Sequence, residues 1–309
     1  MKSIIEVNHL SKSYKDVKAV DDISFLVHEG EFFSFLGLNG AGKSTTINII
    51  TGAIEKDAGK VLVDGLDIDS DLSKIKGNLG IVYQSSVLDK FLSVYDNLRF
   101  KAALYGYSGD KFSHRLEEIS KQFDLAPLLK RPLGKLSGGQ KRKVDIARAL
   151  FHEPKILILD EPTTGLDPRT RAKVWNILIE EQKEKNLTIF LTTHYMEEAA
   201  ESHYAVILDR GRIVAKGTPL ELKSKYSHDS LLIHHPSEEA LRLIKNKGLT
   251  YKSNENTISI PIPNSSFVTS LILEDPKAFI DYEVIKGKMD DVFLNVTGMD
   301  LKEGGNENE

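Results

Sequence analysis

The chain has 309 residues, of which 40% are hydrophobic and 28% charged, with a net charge of −4 and no cysteine. This length accommodates one large domain and a smaller one, and the composition excludes a largely disordered chain. Without cysteine there is neither a disulfide nor a thiolate metal site. The small negative charge indicates no nucleic-acid partner, and no apolar run is long enough for us to expect a direct membrane span.

The first ninety residues alternate strand-like and helix-like segments, which predicts an α/β architecture. Within them, GLNGAGKST at residues 37–45 follows the apolar run EFFSFL and precedes the helix-like TTINII. The spacing Gly37-x-x-x-x-Gly42-Lys43-Ser44 is that of a phosphate-binding loop, where bare backbone N–H groups surround an anion at a helix N-terminus. An ordinary glycine-rich turn is the alternative, but the strand before and the helix after favour a nucleotide.

In this loop, Lys43 is expected to reach the terminal phosphates of the nucleotide, and the Ser44 hydroxyl is expected to help hold Mg²⁺. The predicted nucleotide contacts are Gly37, Asn39, Gly40, Ala41, Gly42, Lys43, Ser44 and Thr45.

Helical periodicity dominates residues 93–150, which we interpret as a helical insert. Strand patterns resume with KILILD, LTIFLTTH and YAVILDRGRIVAKG. We place the limits of the first domain at residues 1–222, those of a small α+β domain at 223–300, and a disordered polar tail at 301–309. In the small domain, Pro261 and Pro263 argue against a central position in a sheet for NTISIPIP.

The segment ILILDEP at residues 156–162 is an apolar run that ends in two carboxylates. This pattern is typical of a buried parallel strand that delivers acidic groups to its C-terminal edge. We expect Asp160 to hold Mg²⁺ through its water shell and Glu161 to orient the water that attacks the γ-phosphate. Solvated acids at a strand end are the alternative.

The segment LSGGQ at residues 136–140 places a hydroxyl and two glycines before a helix with basic first turns. Free N–H groups at the start of this helix, together with Ser137, form a second candidate phosphate site. A serine-capped helix that follows a glycine turn is an equally good interpretation of this segment.

These motifs, in this order, resemble those of the ABC ATPases over about residues 4–216, with GLNGAGKST as the Walker A segment and LSGGQ as the signature. The resemblance implies a P-loop NTPase core that binds ATP and Mg²⁺. It also implies roles for four more residues: Tyr14 stacks on adenine, Gln84 contacts Mg²⁺ and the attacking water, His194 is the switch histidine at the γ-phosphate, and Asp167 touches the opposite subunit.

The resemblance further implies a homodimer or paired cassette, in which the signature of one copy completes the P-loop site of the other around ATP. The predicted signature contacts are Ser137, Gly138, Gly139 and Gln140. A separate transmembrane permease subunit is the expected partner, which would place the chain in the cytoplasm at the inner face of the cell membrane.

The ending IKGKMDDVFLNVTG at residues 285–298 resembles that of ATPases from drug, antibiotic, lantibiotic and sodium exporters. We therefore expect an exporter ATPase. An importer ATPase is the first alternative, and a soluble ABC ATPase without a transport role is the second. The single GKST and single LSGGQ speak against the two-cassette soluble factors.

Overall fold

The computed structural model describes residues 2–254 and 256–298. The chain divides into two compact units, with the boundary between Lys216 and Gly217. The predicted tail at 301–309 lies outside the described residues. Among the helices of the described part, none combines the length and the apolar character that a membrane crossing requires.

The first unit contains two sheets. Its strands, the last of which ends at the boundary, are β1 (Ser3–Tyr14), β2 (Val17–His28), β3 (Phe32–Leu36), β4 (Ala58–Val63), β5 (Leu66–Asp67), β6 (Leu79–Val82), β7 (Ile156–Asp160), β8 (Thr188–Thr193), β9 (Tyr204–Asp209) and β10 (Arg212–Gly217). The smaller sheet has the order β2-β1-β4-β5 and is antiparallel. The larger has the order β10-β9-β3-β8-β7-β6, and its strands from β9 to β6 are parallel.

Helices connect these strands in the way that parallel pairing requires. They are α1 (Lys43–Ile50), α2 (Leu72–Gly77), α3 (Val94–Ala103), α4 (Gly109–Gln122), α5 (Gly138–Leu150), α6 (Pro168–Lys185) and α7 (Met196–Ala200). Residues 93–150, the predicted insert, are occupied by α3, α4, α5 and two short 3₁₀ turns. The α/β fold class is therefore confirmed.

The parallel sheet separates two hydrophobic cores, which explains why its strands read as unbroken apolar runs. In β7, Leu157 and Leu159 pack into the core that contains α4 and α5, whereas Ile156 and Ile158 pack into the core that contains α1. Because all five residues of this strand are buried, the carboxylate of Asp160 is held at a fixed position at the strand end.

The second unit is built from α8 (Pro219–Tyr226), β11 (Asp229–His234), α9 (Glu238–Asn246), β12 (Lys252–Asn254), β13 (Thr257–Ile262), α10 (Ser265–Glu274), β14 (Tyr282–Ile285) and α11 (Met289–Thr297). Its antiparallel sheet has the order β12-β13-β11-β14 and its own apolar core. The expectation from the two prolines is wrong, because β13 lies between two strands. Pro261 is tolerated there because β12 pairs only with residues 257–259.

Candidate functional site

The phosphate loop connects β3 to α1 at the C-terminal edge of the parallel sheet. Gly42, which precedes α1, has φ +105°, and a Cβ atom there would lie 2.2 Å from the carbonyl oxygen of Ala19. Only glycine meets both conditions. Gly37, Ala41 and Gly42 are buried, whereas Asn39 and Gly40 are exposed at the tip of the loop.

Lys43 lies under this loop with its side chain almost fully buried. Its Nζ donates hydrogen bonds to the carbonyl oxygens of Gly37 at 2.7 Å and Leu38 at 3.0 Å. The same Nζ lies 3.6 Å from Oε1 of Glu161. Burial lowers the pKa of Lys43, while the charges of Glu161 and Asp160 oppose that change. A buried ammonium with two carboxylates beside it is suited to a polyanion that brings its own Mg²⁺.

The carboxylate of Asp160 accepts hydrogen bonds from two hydroxyl groups. Ser44, at the start of α1, donates from Oγ to Oδ2 of Asp160 at 3.4 Å. Thr192 of the neighbouring strand donates from Oγ1 to Oδ1 at 2.5 Å, because the β7–β8 register pairs Asp160 with Thr192. Mg²⁺ binds in proteins through one or two carboxylates together with substrate phosphates. The hydroxyl and carboxylate oxygens of Ser44 and Asp160 are a donor set that fits this ion.

Glu161 is the centre of a polar cluster. Gln84 donates from Nε2 to Oε2 of Glu161 at 3.2 Å, and Nδ1 of His194 lies 3.4 Å from Oε1. Glu161 has φ +45°, a left-handed conformation that a residue with a Cβ adopts at a cost. The structure thus brings Lys43, Ser44, Gln84, Asp160, Glu161 and His194 to one place.

The backbone of this cluster is held by Arg142, which the sequence interpretation did not include. This buried guanidinium on α5 donates to four carbonyl oxygens: Tyr83 at 2.6 Å, Asp160 at 3.1 Å, Glu161 at 2.8 Å and Pro162 at 2.5 Å. In the sequence, Arg142 is one of several basic residues in GGQKRKV, and nothing local separates it from an exposed one. The available signal was helical spacing, because Arg142 precedes the buried apolar residues Ile146 and Ala149 by four and seven positions and so shares their face of the helix.

The signature turn has the geometry of a helix cap. Ser137 is the N-cap of α5, its Oγ accepts from the N–H of Gln140 at 3.3 Å, and Oε1 of Gln140 accepts from the N–H of Ser137 at 3.1 Å. A Cβ atom on Gly139 would lie 2.8 Å from Cγ2 of Thr170, so the turn packs tightly against the start of α6. Gly138 has free space where a Cβ would stand.

Three predicted residues stand apart from the cluster around Glu161. Tyr14 ends β1 with 48% of its surface exposed, and the Nζ of Lys12 lies 5.8 Å from the centroid of its ring. Asp167 is the N-cap of α6 and accepts from the N–H of Thr170 at 3.0 Å. Thr45 is half-buried in the first turn of α1. In the described part of the chain, no hydrogen bond joins Tyr14 or residues 137–140 to the cluster.

The strand order and the loop between β3 and α1 define the P-loop NTPase fold. Residues 20–164 match the family model described as ABC transporter. The daunorubicin resistance ATP-binding protein DrrA3 of Streptomyces coeruleorubidus is 32% identical over 307 residues, which is 96% of this chain and 97% of DrrA3. The probable multidrug ABC transporter ATP-binding protein YbhF of Escherichia coli is 37% identical over 74% of this chain, which spans 39% of the length of YbhF.

Among solved structures, the dimeric post-hydrolysis state of the ATP-binding cassette MJ0796, bound to ADP and Pi, is similar with a TM-score of 0.65. It is 28% identical, and the match covers 69% of this chain and 98% of that one. The chain therefore belongs to the family of ABC transporter ATP-binding proteins, in the branch of the drug-resistance members. ATP binding and ATPase activity are characteristic of this family.

Proposed function

We propose that this chain hydrolyses ATP with Mg²⁺ and thereby powers export of a drug, antibiotic, peptide or ion through a separate transmembrane permease subunit. The observation that supports this most directly is the convergence of Lys43, Asp160 and Glu161 beneath the phosphate loop. The names of the relatives support the export direction, because DrrA3 is a daunorubicin resistance protein and YbhF a probable multidrug transporter protein. In this proposal the chain works at the inner face of the cell membrane.

In the proposed reaction, the N–H groups of residues 39–45 and the ammonium of Lys43 bind the phosphates. Ser44 and Asp160 would hold Mg²⁺, which neutralises charge on the phosphate oxygens. The carboxylate of Glu161 accepts a hydrogen bond from the attacking water and aligns it with the γ-phosphorus. Gln84 and His194 approach Glu161 on either side, where they restrict the positions that the water can take.

We further propose that two copies, or two paired cassettes, enclose ATP between the phosphate loop of one and Ser137, Gly138, Gly139 and Gln140 of the other. ATP binding then closes the dimer, and loss of the γ-phosphate contacts lets it open. The dimeric state of MJ0796 with ADP and Pi supports this arrangement. Tyr14 would stack on the adenine, and Asp167 would touch the opposite copy.

The test is nucleotide binding and hydrolysis by the purified chain. Lys43→Ala should weaken Mg-ATP affinity at least about tenfold, because the buried ammonium is the cation nearest the predicted phosphates. Affinity is measured by titration calorimetry, and phosphate release is measured with and without Mg²⁺. The control is Lys76→Ala, which removes an exposed lysine from α2. Unchanged ATP affinity in Lys43→Ala would refute the phosphate-loop assignment.

The export proposal needs its own experiment. The chain is produced together with a candidate transmembrane permease, and the purified pair is reconstituted in vesicles with daunorubicin as the fluorescent probe. We expect Mg-ATP to drive transport out of the compartment that contains the chain. ATP-driven transport in the opposite direction would favour an importer instead.

A further inference from the structure

Three side chains form a continuous stack between the start of α6 and the candidate switch histidine. The guanidinium carbon of Arg171, in the first turns of α6, lies 4.6 Å from the centroid of the Tyr195 ring. The Tyr195 ring packs in turn on the imidazole of His194, with the ring centroids 4.2 Å apart and the planes tilted by 38°.

Two buried nitrogen atoms in this stack have no hydrogen-bond partner among the described residues. The Nε of Arg171 is buried, and no acceptor within the described part of the chain pairs with it. The Nδ1 of His194 lies near Glu161, yet it too has no hydrogen bond among the described residues. The backbone N–H of Tyr195 donates to Oγ1 of Thr193 at 2.9 Å, which fixes the chain on one side of the imidazole. The Tyr195 ring and Oε1 of Glu161 therefore lie next to the imidazole, which has no hydrogen bond at Nδ1 within the described residues.

We propose that Arg171 and Tyr195 are positioning residues for His194 and that they couple the start of α6 to the hydrolytic site. A cation over an aromatic face is attracted by the ring quadrupole, so Arg171 holds the Tyr195 ring in place. The ring restricts rotation of the imidazole on which it packs. This inference rests on the proposed function, because His194 acts there beside Glu161.

The stack connects the expected dimer contact at the start of α6 to His194. α6 begins at Asp167, whose loop is expected to meet the second copy, and Arg171 follows one turn later, with its N–H bonded to the carbonyl oxygen of Asp167 at 2.9 Å. A displacement of this turn moves the guanidinium and, through Tyr195, the imidazole. Closure of the dimer at the start of α6 would thus change the position of the His194 imidazole.

The first experiment observes His194 directly in the full-length, nucleotide-free protein. Histidine side chains are labelled with ¹³C at Cε1, and the His194 resonance is assigned with His194→Ala. Because an aromatic face shifts the resonances of nuclei packed on it, Tyr195→Leu should move the His194 signal, and Tyr195→Phe should leave it near its wild-type position. Arg171→Gln should move it in the same direction as Tyr195→Leu. The control Arg169→Gln, at an exposed position of the same helix, should not.

The second experiment separates turnover from binding. Tyr195→Leu should lower kcat about tenfold, since misplacement of a catalytic group by about 1 Å can cost up to about 100-fold. Its KM for ATP should change less than about twofold, because the Tyr195 ring packs on His194 and Arg171 and is not among the predicted phosphate contacts. Tyr195→Phe should restore kcat, and Arg171→Lys should retain more activity than Arg171→Gln.

The proposal would be overturned if the His194 resonance did not shift in Tyr195→Leu. An unchanged kcat in the same variant would also overturn it. If Tyr195→Leu or Arg171→Gln fails to fold, the conservative variants Tyr195→Phe and Arg171→Lys still test the proposal. A His194 resonance that leaves its wild-type position in both of them would contradict positioning by the aromatic ring and the cation. Absence of ATPase activity in the wild-type chain would contradict the proposed function alone, while the NMR comparison still decides whether the stack orients His194.

Discussion

At the scale of single residues, Glu161 combines an unfavourable backbone conformation with a crowded carboxylate. A non-glycine residue with positive φ costs on the order of 1–3 kcal/mol and persists only where its surroundings hold it. Here the N–H of Glu161 donates to the carbonyl oxygen of Thr192 at 3.1 Å, and its own carbonyl accepts from Arg142 at 2.8 Å. The backbone is therefore fixed from both sides, and the carboxylate is directed toward Lys43, Gln84 and His194.

Glu161→Gln should preserve ATP binding and lower kcat by at least about 100-fold. The amide keeps the size of the side chain but loses the charge that, in the proposed reaction, orients and polarises the water. A general base of this kind contributes about 10²-fold to 10⁴-fold to the rate. Phosphate release under single-turnover conditions, with ATP affinity measured alongside, checks both halves of the expectation.

Glu180→Gln, at an exposed position of α6, is the matched control and should behave like the unaltered chain. A Glu161→Gln protein that retains turnover within a few fold of normal would exclude Glu161 as the residue that orients the water.

Among the secondary-structure elements, α5 links the signature turn to the polar cluster around Glu161. Its N-cap is Ser137, and little more than one turn later Arg142 binds carbonyl groups on both sides of Glu161 and beside Gln84. Farther along, Arg148 donates to the carbonyl oxygen of Ile81 at 2.6 Å. One helix thus anchors the ends of β6 and β7, the two strands that deliver Gln84 and Asp160.

Arg142→Ala should lower the free energy of unfolding by about 3 kcal/mol or more. The reason is that buried carbonyl groups lose a charged donor, and each such bond contributes about 1.5–3 kcal/mol. Turnover should fall as well, because the strained conformation of Glu161 loses one of its two supports. Chemical denaturation and ATPase assays measure the two effects.

Lys141→Ala, which removes a half-buried basic residue next to Arg142, should leave both quantities nearly unchanged. Equal stabilities of Arg142→Ala and wild type would show that these carbonyl groups find other partners.

Local patterns predicted the elements that rely on local chemistry. Alternation and the fully apolar runs indicated β3, β7 and β8, and the glycine spacing indicated the loop before α1. What they could not give is pairing between distant segments. Thr192 reaches Asp160 only because β8 lies beside β7 in one particular register, and Arg142 reaches Pro162 across 20 positions of sequence. These contacts depend on how the whole core packs. Local sequence patterns therefore could not predict the residues that support the site.

At the scale of the whole molecule, the two candidate phosphate-binding turns belong to one chain but, in the proposal, to two different ATP sites. Ser137→Arg places a bulky cation where the second copy would present its γ-phosphate. ATP-dependent dimerisation should therefore weaken at least about 100-fold, while loss of the helix cap costs only about 1 kcal/mol of stability. Sedimentation with Mg-ATP, in the Glu161→Gln background that preserves ATP, measures this effect.

The matched control is Ser108→Arg, which makes the same change at the exposed N-cap of α4. Should Ser137→Arg dimerise as well as this control, the signature turn would not be part of the ATP-bound interface.

The reciprocal cap at Ser137 has a consequence for ligand chemistry. One lone pair of the hydroxyl is already engaged by the N–H of Gln140, whereas its hydrogen remains available to an incoming group. Together with the N–H groups in the first turn of α5, this hydrogen makes donors more numerous than the one lone pair that Ser137 keeps. An ionised phosphate can therefore accept several hydrogen bonds at this turn, whereas an ammonium group would find few acceptors there.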